Sequence, residues 1–513
     1  MTRADQGVLG QISEREAKLE AWPGFVVPDM SGVVDGLTAA AAEPQVLEAV
    51  YYDTADLRLA RWGATVRYRS GDGTGWTLKL PKGRRKAALV RQEITFEGKP
   101  STVPAGLVAI VKGYTRSSPL AAVAKLRTRR RRVELLEADG RRVAEVVDDE
   151  VSVYEGRRLS NRFREIEVEL DEGETGIDVL GTVVAALETA GAAATEPVPK
   201  LVRALGARAQ QPPDVVPAQL GKDASLGDVV RRAVAAATVG LVRHHAGVLL
   251  DGDPEDVHQA RVATRRLRSD LHTFGALVDA EWMGHTRAEL RWLGGLLGSV
   301  RDADVLDARL RRQVESLPAD DMAGAQRFFD RLAAERATAK TALAAVMSGA
   351  RYVALLDALV AASTSPPLLP QAAEPAKDHV AGLARGPWRK LSTAASRVGD
   401  DAPDQELHDL RIRAKRCRYA VEAVEVVVGR SARQMADAVA DLQTVLGDHQ
   451  DAVVAEMWLR RAVALDAVQN EEPPSMAAGE LVWMQRTEAA AGRRDWRAAW
   501  DRARRKRLRA WMS

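Results

Sequence analysis

The sequence predicts two dissimilar parts: an α+β N-terminal region built on an antiparallel sheet, and an all-α C-terminal region made of two duplicated helical-bundle halves. Three observations carry this. Up to about residue 206, segments such as EVSVYE and REIEVEL alternate polar with apolar residues, the period of half-buried strands. From 223 onward the chain is rich in Ala, Leu, Arg and Glu with few β-branched runs, a helical pattern. Within that second region the pattern H-x2-R-x3-[RK]-R-x-R occurs twice, 150 positions apart, in VHQARVATRRLRS and LHDLRIRAKRCRY.

The whole chain bounds these parts. Its 513 residues exceed one core, so two to four domains are expected. Apolar content of 46% and charged content of 28% are those of a globular protein. Lys plus Arg number 74 against 71 Asp plus Glu, a net of +3, so partners follow from local clusters and not from bulk charge. A single cysteine excludes an intramolecular disulfide and fits a reducing cytosol. The opening MTRADQGVLGQISERE has no apolar stretch of a signal peptide, and no run of about 20 apolar residues occurs; the expectation is a soluble cytoplasmic protein with no membrane partner.

In the N-terminal region, GDGTG (71–75) reads as a hairpin loop between VRYRS and WTLKL; strands flank it, so it is not a phosphate loop. On a strand, alternate residues share a face. Glu14, Glu16 and Lys18 therefore project together. Arg67 and Arg69 do the same, with Val66 and Tyr68 behind them; Lys79 stands opposite Leu78 and Leu80; Arg91 pairs with Glu93. Arg127 and Arg129 lie in LRTRRRR, Glu165, Glu167 and Glu169 back onto Ile166, Val168 and Leu170, and Lys200 sits in VPKLVRAL. These strands have one apolar face and one face dense in both signs of charge. Burying that face is costly unless its charges are paired or hold ions. A closed barrel with a charged lumen resolves the conflict: carboxylates suit hard divalent cations, and Arg and Lys clamp phosphate oxygens.

Residues 207–222, ARAQQPPDVVPAQLGK, form a Pro/Gln-rich linker, and STSPPLLPQAAEPA (363–376) divides the helical region into halves of roughly 223–362 and 377–513. The repeated pattern comprises His258, Arg261, Arg265, Arg266 and Arg268 in the first half, and His408, Arg411, Lys415, Arg416 and Arg418 in the second. At about 100° per residue, positions i, i+3, i+7 and i+10 fall within an arc of roughly 80°. Each segment is thus a helix with a His-led stripe of cations. Cations are poor core residues, so packing does not explain their common register. Two such helices facing each other would form a basic groove for a polyanion of regularly spaced charge. Asp302, Asp304, Asp448 and Asp451 would either form a metal site or orient the arginines by salt bridges, and the neighbouring cations, which repel a metal, favour the second. Cys417, roughly 180° from His408, should face the core, and the C-terminal helix with Trp496, Trp500 and Trp511 reads as a closing amphipathic helix with aromatic anchors.

On these residues, 1–206 resembles the CYTH family of triphosphate tunnel metalloenzymes, whose signature is Glu-x-Glu-x-Lys on the first strand. Residues 223–513 resemble the CHAD domain, the conserved-histidine α-helical domain, through both stripes and through LLGSVRDADV (296–305) and VLGDHQDAVV (445–454). The first resemblance implies an eight-stranded tunnel with flanking helices that binds a triphosphate with Mg²⁺ or Mn²⁺. Its members hydrolyse inorganic triphosphate, thiamine triphosphate or RNA 5′-triphosphate ends, and a few make cyclic AMP. Carried over, Glu14, Glu16, Glu165 and Glu167 would hold metal, with Glu93 and Glu169 as further participants and Asp148, or its neighbour Asp149, at the family's acidic position. Lys18, Arg67, Arg69, Lys79, Arg91, Arg127, Arg130 and Lys200 would contact phosphate. The register of Arg127–Arg132 stays open, because four successive arginines let either strand face be the inner one. Glu14, Glu16 and Lys18 are the catalytic candidates; no Ser, Cys or His is placed as a nucleophile, so attack by water is the simplest route.

The second resemblance implies inorganic polyphosphate as the ligand of the stripes. The expectation is a metal-dependent inorganic triphosphatase holding polyphosphate in the cytoplasm, with polyphosphate granules as a further location. The alternatives are a catalytically weak polyphosphate scaffold, or hydrolysis of an organic triphosphate. Nucleic acid is disfavoured by the near-neutral net charge and the lack of RNA-binding modules.

Overall fold

The alternating segments form long strands: β1 Val8–Glu20, β2 Thr38–Asp53, β3 Thr65–Ser70, β4 Gly75–Arg85, β5 Ala88–Phe96, β6 Ala121–Leu136, β7 Arg142–Glu155 and β8 Arg158–Leu170, with the two-residue β9 Ala193–Ala194 beside β1. Short helices interrupt and follow them: α1 Arg58–Arg61, α2 Ala105–Thr115, α3 Ile177–Thr189 and α4 Lys200–Leu205. This computed structural model describes residues 7–71, 75–85, 88–171, 177–195, 198–399, 401–469 and 476–512. Two compact units result, Met1–Asp214 and Val215–Ser513.

In the first unit the strand order is β5-β4-β3-β2-β6-β7-β8-β1, and β1 also pairs with β5, which closes an eight-stranded antiparallel barrel. Closure leaves no open edge among these strands. Register carries the charged alternates to the inside: Glu14 lies opposite Arg91, Glu16 opposite Glu169, Lys18 opposite Glu167, and Asp149 opposite both Glu165 and Arg130. The opposite face is apolar. Leu19, Val146, Ile166 and Val168 are buried there with Phe25, Met30 and, on α3, Val183 and Leu187. At one end the lumen is apolar too: Ala49, Tyr51, Leu126, Val151 and Val153 pack with Leu201 and Val202 of α4. That plug sets Lys200, the first residue of α4, at the edge of the charged part. The hairpin from β3 to β4 is seen only at its flanks, because 72–74 lie outside the described residues; Gly71 has φ +120°, where a Cβ would stand 2.5 Å from the Val46 carbonyl oxygen. The segment 207–214, read as linker, is partly tied to this unit: Trp62 Nε1 donates to Asp214 at 2.8 Å and Arg61 Nε to the Pro212 carbonyl at 2.8 Å.

The second unit is helical: α5 Leu226–Leu250, α6 Pro254–Thr273, α7 Ala280–Val314, α8 Ala319–Met322, α9 Gln326–Met347, α10 Ala350–Thr364, α11 Ala376–Ala395, α12 Asp404–Val428, α13 Arg430–Gln469, α14 Met476–Ala503 and α15 Lys506–Arg509. Local signals start several of them. Ser225 and Asp228 form a capping box on α5, Asp253 caps α6 ahead of Pro254, and Asp279 caps α7. The duplication is visible in the starts: α5, α6, α7 and α9 begin 150 residues before α11, α12, α13 and α14. Ser225 bridges Pro375, its own counterpart, through reciprocal bonds from Leu226 N to Glu374 O and Ala376 N to Ala224 O, both 2.9 Å, so a local two-fold axis passes between them. The halves share a core in which Leu310, Phe328 and Leu332 meet Leu459 and Leu481. Among the described residues, α5 is the one unbroken helix long and apolar enough to cross a membrane, and 61% of its apolar window is buried. Trp496 is buried and Trp500 stacks on Trp388 at 5.3 Å, so the C-terminal aromatics are anchors of the fold. Cys417 is fully buried, as its helical phase requires.

Candidate functional site

The barrel lumen holds a cavity of about 290 Å³ whose wall is almost entirely charged. Of the residues singled out from sequence, Glu16, Lys18, Arg67, Arg69, Lys79, Arg91, Glu93, Arg130, Glu167, Glu169 and Lys200 line it together. Arg132, Arg142 and Glu145 line it as well and were missed. Their signal was the same alternation, Arg130 with Arg132 and Glu145 with Asp149, hidden where neighbouring residues are also charged.

Near the plug the charges neutralise one another. Lys18 is buried and bonds Glu167 and, at 3.4 Å, Glu165. Lys200 meets Glu167, Glu165 at 2.8 Å and Asp149 at 2.9 Å. Arg130 grips Asp149 bidentately at 2.9 and 2.7 Å. Against the cost of burial, Lys18, Lys200 and Arg130 hold the Glu167 carboxyl well below its ordinary range. Burial opposes charge on Lys18 also, but Glu165, Glu167 and Glu16 outweigh it and raise the ammonium above its usual range. On another wall, burial is again overcome at Glu93, which Lys79, 3.0 Å away, and Arg67 bring down to about 2.

Three carboxylates, Glu16, Glu167 and Glu169, bring one oxygen each within 4.8 Å of one another. Glu16 is buried and its Oε1 has no hydrogen-bond partner among the described residues. An orphaned carboxylate oxygen beside two others is a donor set of hard oxygens, and it fits a divalent cation such as Mg²⁺ or Mn²⁺.

Several expected ligands do not join that group. Asp148 is on the other strand face, opposite Ile166, where it receives Arg164 at 2.7 and 2.8 Å and Arg131 at 3.2 Å; its neighbour Asp149 is the inward acid. Arg127 is exposed on that outer face, opposite Ser152, because the register that puts Arg130 against Asp149 turns odd positions outward. Glu165 is committed to Lys18, Lys200 and Arg203, and Glu93 to Lys79. Glu14 pairs with Arg91 across β1 and β5, and its side chain lies outside the described residues.

In the helical unit α6 and α12 bring the stripes together: the Arg265 guanidinium lies 5.4 Å over the Tyr419 ring. The stripe positions are half-buried, whereas Arg266 and Arg416 are exposed and leave the groove. Arg266 lies 3.8 Å from Glu422, and Arg416 lines a cleft with His272 and Lys390. The stripe cations press on one another. Burial first, then Arg265, Arg411, Arg261 and Arg268, push the Lys415 ammonium down to about 7. Burial and Arg301 lower His258, and burial lowers Arg265 and Arg268. His408 Nδ1 meets Gln450 Oε1 at 2.8 Å.

The second repeated element explains itself here. Gly298 and Gly447 are where the second element meets the stripes: a Cβ there would stand in ordinary contact, 3.5 Å from Arg261 Nε and 3.6 Å from Arg411 Nε. Asp302 meets Arg261 at 3.2 Å, as an orienting acid should, while Asp304 turns to Arg336 at 2.6 Å. Burial raises Asp448 and Asp451; Arg411 and Arg261 act against the rise at Asp451.

Family models match this chain in the same order: the CYTH domain over residues 25–201 and the CHAD domain over 232–460. The uncharacterized protein Rv2226 of Mycobacterium tuberculosis is 32% identical over 489 residues, covering 89% of this chain and 90% of that protein. Among solved structures, PptA from Streptomyces chartreusis is 24% identical, covers 54% of this chain and 100% of its own, and has a TM-score of 0.45. The CHAD domain from the plant Ricinus communis is 27% identical, covers 56% of this chain and 94% of its own, and also scores 0.45.

Proposed function

Because this chain belongs to the family in which a CYTH domain precedes a CHAD domain, we propose that its tunnel hydrolyses inorganic triphosphate with the help of Mg²⁺ or Mn²⁺, and that its helical groove holds inorganic polyphosphate. CYTH-domain proteins are metal-dependent enzymes that act on phosphoanhydrides. The observation that carries the reading is the gathering, in one cavity, of the Glu16, Glu167 and Glu169 carboxylates with a wall of Arg and Lys. Arg67, Arg69, Arg91 and Arg132 would take phosphate oxygens in fork geometry, and Lys79 would meet them as a point charge. Glu16, Glu167 and Glu169 would hold the cation, which neutralises phosphate charge and polarises a water when bound. Lys18 and Lys200 keep Glu167 ionised and in place for that role.

Among the described residues the apolar lining is Ile12, Tyr51 and Pro199, which supports a substrate that is phosphate throughout over one with a base or thiamine to stack. For the groove, the support is the lowering of Arg265 and Lys415, by burial first and then by the neighbouring cations, and the buried Nε of Arg265 and Arg411, which find no partner among the described residues. Phosphate oxygens would relieve both. Phosphate release by the full-length chain with Mg²⁺ or Mn²⁺ tests the reading, with triphosphate, ATP, thiamine triphosphate and long-chain polyphosphate in parallel. Fastest turnover of inorganic triphosphate is expected. A faster organic triphosphate would replace the substrate, and no turnover with polyphosphate still bound would leave a scaffold.

A further inference from the structure

The repeat that faces the two stripes also builds two equivalent clefts. One lies on α5 and α6 under the end of α12; the other lies on α11 and α12 under the end of α6. Equivalent positions 150 residues apart line both, as in Gly240 and Lys390, Ala263 and Arg413, Arg266 and Arg416, and Glu422 and His272. Their contents have diverged. In the second repeat, Lys390 and Arg413 stand between two spaces of about 200 and 510 Å³ and line both. In the first, Gly240 and Ala263 remove those long cationic side chains, and one continuous space of about 590 Å³ remains.

The charge has inverted as well. Asp270, where the second repeat has Ala420, lines the open cleft, is only 3% exposed, and its Oδ1 has no hydrogen-bond partner among the described residues. Other charged groups on the wall are engaged. Glu422 receives Arg418 at 2.6 Å, Glu425 faces Arg433 at 3.8 Å, His244 meets Asp256 at 2.8 Å, and Arg232 donates to the Ala218 carbonyl. Burial pushes the Asp270 carboxyl up to about 7, with Arg266 opposing and Glu422 adding to the rise. A buried carboxylate without a partner is costly, and a cation in the cleft removes that cost.

We propose that this cleft binds a small aliphatic cation, an alkylammonium or alkylguanidinium compound, whose charged head meets Asp270 and whose methylenes lie along Ala236, Ala237 and Ala263. In shape and charge such a ligand replaces the lysine and arginine side chains that the second repeat carries at the same wall. The site is separate from the tunnel and does not depend on what the tunnel hydrolyses.

Calorimetric titration of the full-length protein at pH 8.5 with propylamine, butylamine, hexylamine and agmatine tests this. One site per chain is expected, tightening about fourfold for each further buried methylene. Asp270→Asn should weaken it at least tenfold, since it removes the charge and keeps the shape. Ala236→Leu, at an exposed position of the wall, should block it by filling space. Ala236→Leu should keep the wild-type melting temperature, Asp270→Asn should melt no lower than wild type because it removes a costly buried charge, and both should keep polyphosphate affinity. No binding in the millimolar range overturns the proposal, and so does binding unchanged in the two variants, which would put the amine on another acidic group. Loss in Ala236→Leu alone, with Asp270→Asn unaffected, overturns the assignment of a cation.

Discussion

Lys415 turns the crowded groove into a pH prediction. Burial and four arginines bring its ammonium from 10.5 to about 7 in the ligand-free protein. Polyphosphate bound in the groove, as proposed, would set negative charge among those cations and return Lys415 toward its ordinary value. Below pH 7 the lysine is charged in both states and its contribution to affinity is flat. Above pH 7 the free protein has lost the proton that the complex needs, and each further pH step of one weakens binding by up to about tenfold, or about 1.4 kcal/mol. From pH 7 to 8.5 the full effect is roughly fifteenfold; Lys415 is only partly buried, so solvent screening brings the expected change to several-fold. His258, held below its usual value, is neutral across this window. Folding responds with the opposite sign. Between about pH 7 and 10.5 the unfolded chain binds a proton that the native protein does not, so the ligand-free protein gains stability as pH rises. Titration calorimetry with long-chain polyphosphate, in buffers of different ionisation enthalpy, measures both the affinity and the proton. Uptake approaching one proton at pH 8.5 is expected, and Lys415→Arg should flatten the profile. The same pH dependence in Lys415→Arg, or no proton uptake in the native protein, would refute the reasoning.

Two further outcomes follow from positions and burial. Arg127→Ala should leave turnover unchanged and shift stability by no more than about 0.5 kcal/mol, since Arg127 is exposed on the outer face. Arg130→Ala removes the bidentate partner of the buried Asp149 carboxylate and leaves it Lys200 alone, so thermal melts should show a loss of about 1–3 kcal/mol along with lost turnover. Equal effects of the two would contradict the register. Burial pushes the Cys417 thiol up to about 12. An aromatic disulfide reagent at pH 8 should leave the native protein unmodified and titrate one thiol after unfolding; rapid reaction of the native protein would contradict the burial.

Period-2 alternation made the tunnel wall legible wherever a charged residue stood between apolar ones, as at Lys79 or Glu167. It failed where both neighbours had the same character. In LRTRRRR the one apolar marker, Leu126, suggests that even positions face outward with the rest of the apolar residues. That end of the lumen is itself apolar, plugged by Leu201 and Val202, so Leu126 faces inward and carries Arg130 and Arg132 with it. VVDDE offers two apolar residues followed by acids and no phase at all, so the choice between Asp148 and Asp149 required the pairing with β6 and β8. On the helices, angle alone explains why Arg266 and Arg416, eight residues past their histidines, leave the groove. The divergent clefts were not legible, because they depend on the end of each His-bearing helix reaching the other half across the local two-fold.

The most direct test of the central claim is a single-turnover measurement of phosphate release from inorganic triphosphate, with saturating Mg²⁺ or Mn²⁺, by the full-length protein beside Glu16→Gln and Arg411→Ala. A loss on the order of a hundredfold or more in Glu16→Gln, with the melting temperature kept, and no loss in Arg411→Ala is the expected result. Undiminished release by Glu16→Gln would contradict a catalytic tunnel built on that carboxylate.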